Sequence, residues 1–213
     1  MPLTLVIGNK NYSSWSLRPW LALKTAGIPF DEIRIPLYQA GSKDKILVHS
    51  PSGKVPCLLD GKLAIWDSLA ICEYVAETHP KANLWPVDPE ARAVARSISA
   101  EMHSGFMALR GKLSMDIRLH ATNTRYGPDV HRDIERITTI WRDCRFRYGA
   151  GGPFLFGAFS IADAMYAPVV TRFVSYGIHV DSFSEHYMQA VLALPAMQDW
   201  IHDALHETET IQY

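Results

Sequence analysis

SGKVPCLLDGKLAIWDSLAICEYV, residues 52–75, is the stretch that decides the fold of this 213-residue chain. Its Val55-Pro56 pair stands before two short apolar runs, and a proline at that place is allowed at a sheet edge or in a turn. Asp60-Gly61 separates the runs and favours a tight β-hairpin. Asp67-Ser68 then falls where an amphipathic helix begins. The stretch therefore predicts a strand, a hairpin and a helix in succession.

The ends of these elements carry groups that suit an amino-acid head group. A cis peptide at Val55-Pro56 would turn the valine N–H and C=O outward, where a bound peptide can pair with them. Ser68, at the cap of its helix, is suited to a carboxylate, and Asp67 can accept hydrogen bonds from an ammonium group.

Toward the amino terminus, strand-like and helix-like segments alternate. LTLVIG at 3–8 predicts a strand, SLRPWLALKTAG at 16–27 an amphipathic helix, and FDEIRIPL at 30–37 a second strand. The polar segment 41–53 predicts an ill-defined helix or a loop. Such alternation is typical of an α/β unit.

The segment NYSSWSLRPW, residues 11–20, surrounds a tryptophan with serines where this first helix begins. Proline is tolerated in the first helical turn, so Pro19 predicts a cap near Trp15 or Ser16. Ser13 and Ser14 would then lie in the loop with free N–H groups facing an anion, and a thiolate fits that description. They are equally explained as ordinary loop and capping residues. A hydrolase serine would need a histidine base, and this stretch contains none.

The amino-acid composition changes at Pro80. PKANLWPVDPEAR, residues 80–92, holds three prolines in ten residues and reads as a connector. Helical periodicity then dominates residues 91–113, 129–149, 160–177 and 185–205. We expect an α/β domain over 1–80, a linker over 81–89 and an all-helical domain over 90–213.

Composition excludes several function classes. A net charge of −1 leaves no basic field for nucleic acid. No run approaches eighteen apolar residues and no leader is evident, which predicts a soluble, unsecreted protein without membrane contact. The three cysteines lack metal spacing and favour a reducing cytosol. His202 and His206 share the four-residue spacing of metal sites but have no obvious third ligand, so we expect surface histidines and no metal.

Four segments in the right order resemble the glutathione transferase family: SSWSLRPWLAL at 13–23, KVPCLLDG with WDSLAICEYV at 54–75, LWPVDPEARA at 84–93 and FSIADAMYAPV at 159–169. The resemblance implies a thioredoxin-like domain that binds glutathione as cosubstrate. It also implies an all-helical domain that helps to bind a small electrophile, and a cytosolic homodimer. The SIAD segment, residues 160–163, reads as a capping box with a structural role.

The resemblance assigns roles residue by residue. Ser13 or Ser14 donates a hydrogen bond to the glutathione sulfur, and Val55 offers its backbone to the cysteinyl part. Asp67 and Ser68 bind the γ-glutamyl end. The glutathione site so predicted comprises Ser13, Ser14, Trp15, Lys54, Val55, Pro56, Asp67 and Ser68, with Pro56 as the cis-proline and Lys54 near the glycyl end.

The electrophile pocket is predicted beside it. His103, Phe106, Met107 and Arg110 recur at helical spacing, and by family position this helix flanks the pocket together with Trp15. Core packing explains Phe106 and Met107 equally well.

Within the family the serine loop is most similar to the zeta class, whose loop reads Ser-Ser-Cys and whose members include maleylacetoacetate isomerases. Trp15 stands here in place of that cysteine, at the mouth of the site. Alignment with zeta loops favours Ser13 as the activating residue, whereas counting back from Arg18 as in theta-like loops favours Ser14. Three functions are compatible with the sequence: a conjugating transferase, a cis–trans isomerase, and a non-catalytic glutathione-binding protein.

Overall fold

A four-stranded sheet forms the amino-terminal part of the fold in a computed structural model, which describes residues 2–121 and 124–211. The strands are β1 (Leu3–Ile7), β2 (Phe30–Arg34), β3 (Cys57–Asp60) and β4 (Leu63–Trp66), in the order β2-β1-β3-β4. β1 pairs with β2 in parallel, and β3 runs antiparallel to both β1 and β4. The predicted hairpin at Asp60-Gly61 is therefore confirmed.

Helices make up the rest of the fold. Between the strands lie α1 (Ser14–Thr25) and α2 (Ser42–Leu47), and α3 (Ser68–Thr78) follows the hairpin. The later helices are α4 (Pro89–Ser104), α5 (Met107–Lys112), α6 (Pro128–Tyr148), α7 (Ile161–Ser175), α8 (Ser182–Leu192) and α9 (Pro195–His206). The fold class is as predicted, an α/β part followed by a helical part. The boundaries at 80 and 90 stay a prediction.

The start of α1 differs from the sequence expectation. The cap is Ser13 and the helix begins at Ser14, not near Trp15 or Ser16, so Pro19 is the sixth helical residue. A proline there removes the N–H that the Trp15 carbonyl would accept. The helix tolerates this loss because residues 16–23 are buried against neighbouring helices, and packing overrides local propensity.

The region after the connector is broken into two helices. α4 ends at Ser104, and α5 begins after Phe106, whose φ of 56° is left-handed. A side chain at Gly105 would approach the Glu101 carbonyl oxygen at 2.8 Å, so the chain turns where only glycine fits. The single helical face predicted for His103, Phe106, Met107 and Arg110 is therefore wrong.

The larger of two hydrophobic clusters runs through both parts, and the smaller lies on the sheet around Val6 and Cys57. α1 packs against α3 on one side and against α7 and α9 on the other. The buried rings of Trp20 on α1 and Trp200 on α9 meet edge to face at 5.1 Å. Within the described ranges, no helix has the length and apolar content needed to cross a membrane.

Candidate functional site

A cavity of about 740 Å³ opens between the serine loop and the helical part. Residues 12–15, at the start of α1, form one wall, and segments 37–46 and 53–55 form a second. α5 and the Arg172 side chain of α7 close the helical side. Its lining consists of Tyr12, Ser13, Ser14, Trp15, Leu37, Tyr38, Gln39, Ser42, Lys43, Ile46, Gly53, Lys54, Val55, Met107, Arg110, Gly111, Ser114, Met115 and Arg172.

The two predicted serines differ in their surroundings. Ser13 is buried, and its Oγ lies 2.8 Å from Ser16 Oγ, which accepts a hydrogen bond from the Gly8 N–H. Ser14 is half-buried at the first helical position. The backbone N–H groups of Ser13 and Ser14 donate to the carbonyls of Asn9 and Tyr12, so the expectation of free N–H groups there is wrong. The two serines can then donate to an anion only through their hydroxyls.

Trp15 is held by charged side chains. The guanidinium of Arg18 lies 4.1 Å from its ring centroid and that of Arg110 4.5 Å, both within cation–π range. His103 meets the same ring edge to face at 5.2 Å. Burial, followed by repulsion from Arg172 and Arg110, lowers the pKa of Arg18 to about 9. Arg18 therefore stays cationic at neutral pH behind the cavity.

Positive charge dominates the cavity. Lys43, Lys54, Arg110 and Arg172 line it, and among the described residues no aspartate or glutamate does. Arg172 is buried and donates to the carbonyls of Leu113 and Pro168. The electric field is concentrated in a low-dielectric cleft that is lined by charges of one sign. This cavity therefore attracts anions, although the net charge of the whole chain is −1.

The Val55-Pro56 peptide is cis, as the family resemblance implied. Val55 lines the cavity, whereas Pro56 is buried beneath it. Lys54 is exposed on the same rim.

Asp67 and Ser68 lie just outside this cavity. The cap of α3 is Asp67 and not Ser68, because the Asp67 carboxylate accepts from the N–H groups of Leu69 and Ala70. Asp67 has a φ of 78°, a conformation that costs a non-glycine residue about 1–3 kcal/mol. Ser68 is 1% exposed, and its Oγ has no hydrogen-bond partner within residues 2–121 and 124–211.

The predicted electrophile residues separate into two groups. Met107 and Arg110 line the cavity, whereas Phe106 is packed in the core. His103 Nε2 lies 3.0 Å from Asp67 Oδ2. The His103 ring meets Trp15 and its carbonyl accepts from Arg110, so Asp67 is two contacts away from the lining.

Sequence reasoning missed several lining residues. Tyr12 adjoins the serines and could have been found from its position. Lys43 lies in the segment 41–53 that was expected to be ill-defined, part of which forms α2, and Gln39 lies just before that segment. Arg172 gave no local signal, because only the packing of α7 against α1 brings it to the site.

The histidines and cysteines singled out in the sequence lie apart from this cavity. Among the described residues, no three His, Cys, Asp or Glu side chains are grouped as metal ligands. His202 and His206 are exposed, and their rings lie 4.3 Å apart. Cys57, Cys72 and Cys144 are buried free thiols, and burial raises the pKa of Cys72 and Cys144 to about 12. These thiols are poor nucleophiles.

Comparison with known proteins gives consistent similarities. Residues 12–78 match the family model "Glutathione S-transferase, N-terminal domain". A probable maleylacetoacetate isomerase of Caenorhabditis elegans is 40% identical over 96 residues, 45% of this chain and 44% of that protein. The maleylacetoacetate isomerase of Rattus norvegicus is 29% identical over 194 residues, 87% of this chain and 85% of that protein.

The fold is also found among solved structures. A Burkholderia glutathione transferase homologue, crystallised with bound glutathione, superposes with a TM-score of 0.72. The superposition covers 96% of this chain and 98% of that one at 24% identity. This similarity supports a thioredoxin-like part followed by a helical part.

Proposed function

We propose that this chain, which belongs to the glutathione transferase family, binds glutathione, activates its thiol and directs it onto a small electrophile. One observation carries the proposal. The buried residue Ser13 lines a cavity in which, among the described residues, every charged lining side chain is a Lys or an Arg. A thiolate needs both a hydrogen-bond donor and a positive field.

The serine loop suits Ser13 as that donor. Ser16 Oγ already accepts from the Gly8 N–H, so its own hydrogen can be donated to Ser13 Oγ. The Ser13 hydrogen is then left for a sulfur in the cavity. Ser14 lines the same cavity and remains the alternative donor.

The remaining groups of glutathione find chemically matching residues. Its glycyl carboxylate suits Lys54 or Lys43 on the cavity wall, and the Val55 backbone suits its cysteinyl part. The γ-glutamyl carboxylate would supply the missing partner of Ser68 Oγ, and the ammonium group would bind Asp67. Bound in this way, the peptide would run from the cavity toward the start of α3.

The chemistry follows from thiol ionisation. A thiol has a pKa near 8.5, so lowering it by about two units corresponds to about 2.7 kcal/mol of preferential stabilisation of the thiolate. The hydroxyl of Ser13 and the positive charge of Arg18 and Arg110 can together supply that amount. The thiolate attacks the electrophilic carbon and a sulfur–carbon bond forms. In a substitution, the leaving group departs with the electron pair of the broken bond. In an addition to a double bond, the displaced electron pair is protonated.

Isomerisation is the second candidate, and the arginines favour it. Arg110 and Arg172 on the electrophile side suit a substrate that carries carboxylates. Glutathione would add to a double bond, allow rotation and leave again, so it would be regenerated. Trp15, in place of the zeta-class cysteine, narrows the mouth of that site.

We further propose a cytosolic homodimer that detoxifies electrophiles. Leu63 and Trp66 on the edge strand β4 are half exposed and offer an apolar face for a second copy. A non-catalytic glutathione-binding protein is the remaining alternative. It would bind glutathione tightly without converting any member of a broad electrophile panel.

A thiol titration tests the proposal. The pKa of bound glutathione, followed by the ultraviolet absorbance of its thiolate, should rise by about 1–2 units in Ser13→Ala. Ser14→Ala should leave it unchanged, and Ser97→Ala on the exposed face of α4 serves as a control. An unaltered thiol pKa in the double variant of Ser13 and Ser14 would refute serine activation.

A further inference from the structure

The segment that follows α9 crosses back over the serine loop. The Glu207 carboxylate accepts hydrogen bonds from the backbone N–H of Lys10 at 2.7 Å and of Asn11 at 3.0 Å. Its side chain is only 6% exposed. A desolvated carboxylate that bonds two successive amides fixes the backbone there, because water cannot readily replace it.

Arg118 ties the same segment to the loop from a second direction. Its guanidinium donates to the carbonyl of Glu207 and, at 2.6 Å, to that of Glu209. It also donates to the Tyr12 hydroxyl at 2.9 Å, and Tyr12 lines the cavity. The Arg118 side chain therefore also joins the chain after α9 to the loop before α1.

Ser13 lies close in the chain to the backbone that Glu207 holds, and further hydrogen bonds fix the residues between them. The Lys10 carbonyl accepts from the Trp200 indole at 2.9 Å, and the Ser13 N–H donates to the Asn9 carbonyl at 2.8 Å. Ser13 follows Asn11 by two residues. A shift of the backbone at Lys10 and Asn11 must therefore move the Ser13 hydroxyl.

We propose that Glu207 is a positioning residue for thiol activation, holding the loop so that the Ser13 hydroxyl faces the glutathione sulfur. This inference rests on the proposed function of the site. Misplacement of a catalytic group by about 1 Å can cost a hundredfold in rate, so a distant clamp has a large effect. Glu207 touches neither reactant and acts through the loop backbone.

The chain offers a matched control for this role. Arg34 pairs with Glu207 at 3.3 Å and with Glu209 at 2.9 Å. Glu207→Gln and Glu209→Gln each remove one acidic partner of Arg34, but only the Glu207 side chain bonds the loop amides. An effect confined to Glu207→Gln therefore reports on the loop and not on the surface ion pair.

Two measurements on the full-length chain decide the matter. In Glu207→Gln the amides of residues 9–14 should exchange with deuterium about tenfold faster. The pKa of bound glutathione should rise by about one unit, a tenfold loss of thiolate. Glu209→Gln should match the parent in both. If Glu207→Gln does not fold, Glu207→Asp, which keeps the charge but shortens the reach, replaces it.

Each outcome has a definite meaning. Unchanged exchange in the Glu207 variant overturns the clamp, and faster exchange with an unchanged thiol pKa overturns its link to activation. If the parent binds no glutathione, the proposed function fails. The exchange measurement then still decides whether Glu207 holds the loop.

Discussion

Asp67 Oδ2 and His103 Nε2 lie 3.0 Å apart, a contact that joins the start of α3 to the last turn of α4. The other carboxylate oxygen of Asp67 caps α3. An ammonium group that binds Asp67 would share Oδ2 with His103. The pair therefore connects the predicted γ-glutamyl site with the helical part.

Substitution Asp67→Asn should weaken glutathione binding about tenfold with little change in stability. An asparagine keeps an oxygen for the cap, but it loses the charge that attracts an ammonium group. Calorimetric titration measures the affinity, and thermal unfolding measures the stability. Asp88→Asn, at the equivalent cap of α4, is the control and should bind glutathione normally. Equal affinities in the two variants would remove Asp67 from the site.

Ser68→Ala should raise the thermal midpoint or leave it unchanged while lowering the affinity for glutathione. A buried hydroxyl without a partner costs about 1–3 kcal/mol, and alanine removes that cost. Ser99→Ala is the matched control, since the Ser99 hydroxyl on α4 is also buried and has no partner among the described residues. Weaker glutathione binding only in Ser68→Ala is the expected result. Identical affinities would contradict the assignment.

Arg110→Gln should lower kcat/KM about tenfold or more for an electrophile that bears a carboxylate, but not for a neutral one of similar size. The guanidinium lines the cavity beside Trp15, and losing a charge-assisted pair costs about 1.5–3 kcal/mol. Arg110→Lys keeps the charge and should recover part of the loss. Because Arg110 also donates to the His103 and Gly105 carbonyls, stability must be measured alongside. A similar loss for the neutral electrophile would indicate a structural effect.

Asp163 makes stability depend on pH. It is fully buried in the capping box of α7, and burial raises the pKa of its carboxyl from 3.8 to about 6. Between about pH 4 and 6 the folded state holds a proton that the unfolded state releases. This contribution to stability is therefore present at low pH and lost as pH rises.

The expected change is at most about 3 kcal/mol, from about two pKa units at 1.36 kcal/mol each. The stability of the parent relative to Asp163→Asn, measured by urea unfolding, should fall across this window. A difference that stays constant from pH 4 to 7 would disprove the shift.

The sequence predicted the sheet and hairpin because those signals are local. Val55-Pro56, Asp60-Gly61 and Asp67 each act on the next few residues. The start of α1 was misplaced because Pro19 is accommodated by tertiary burial, which a local rule for proline ignores. The break at Gly105 was missed because the apolar period of α4 continues through it into α5.

The site could be predicted only on its amino-terminal side. Ser13, Ser14 and Val55 come from short motifs, whereas Arg172 on α7 and Glu207 after α9 reach the same region from more than 100 residues further along the chain. No periodic pattern in the sequence indicates that residues so far apart in the chain meet at one site. It depends on how α7 and α9 pack against α1.

The placement of α1 between α3 and the pair of α7 and α9 has a practical consequence. A fragment limited to residues 12–78 would present the face that buries Leu17, Trp20 and Leu21 to water, and it would also lack β1. Such a fragment should aggregate when expressed alone. We expect that co-expression with the remaining helices is needed to rescue it.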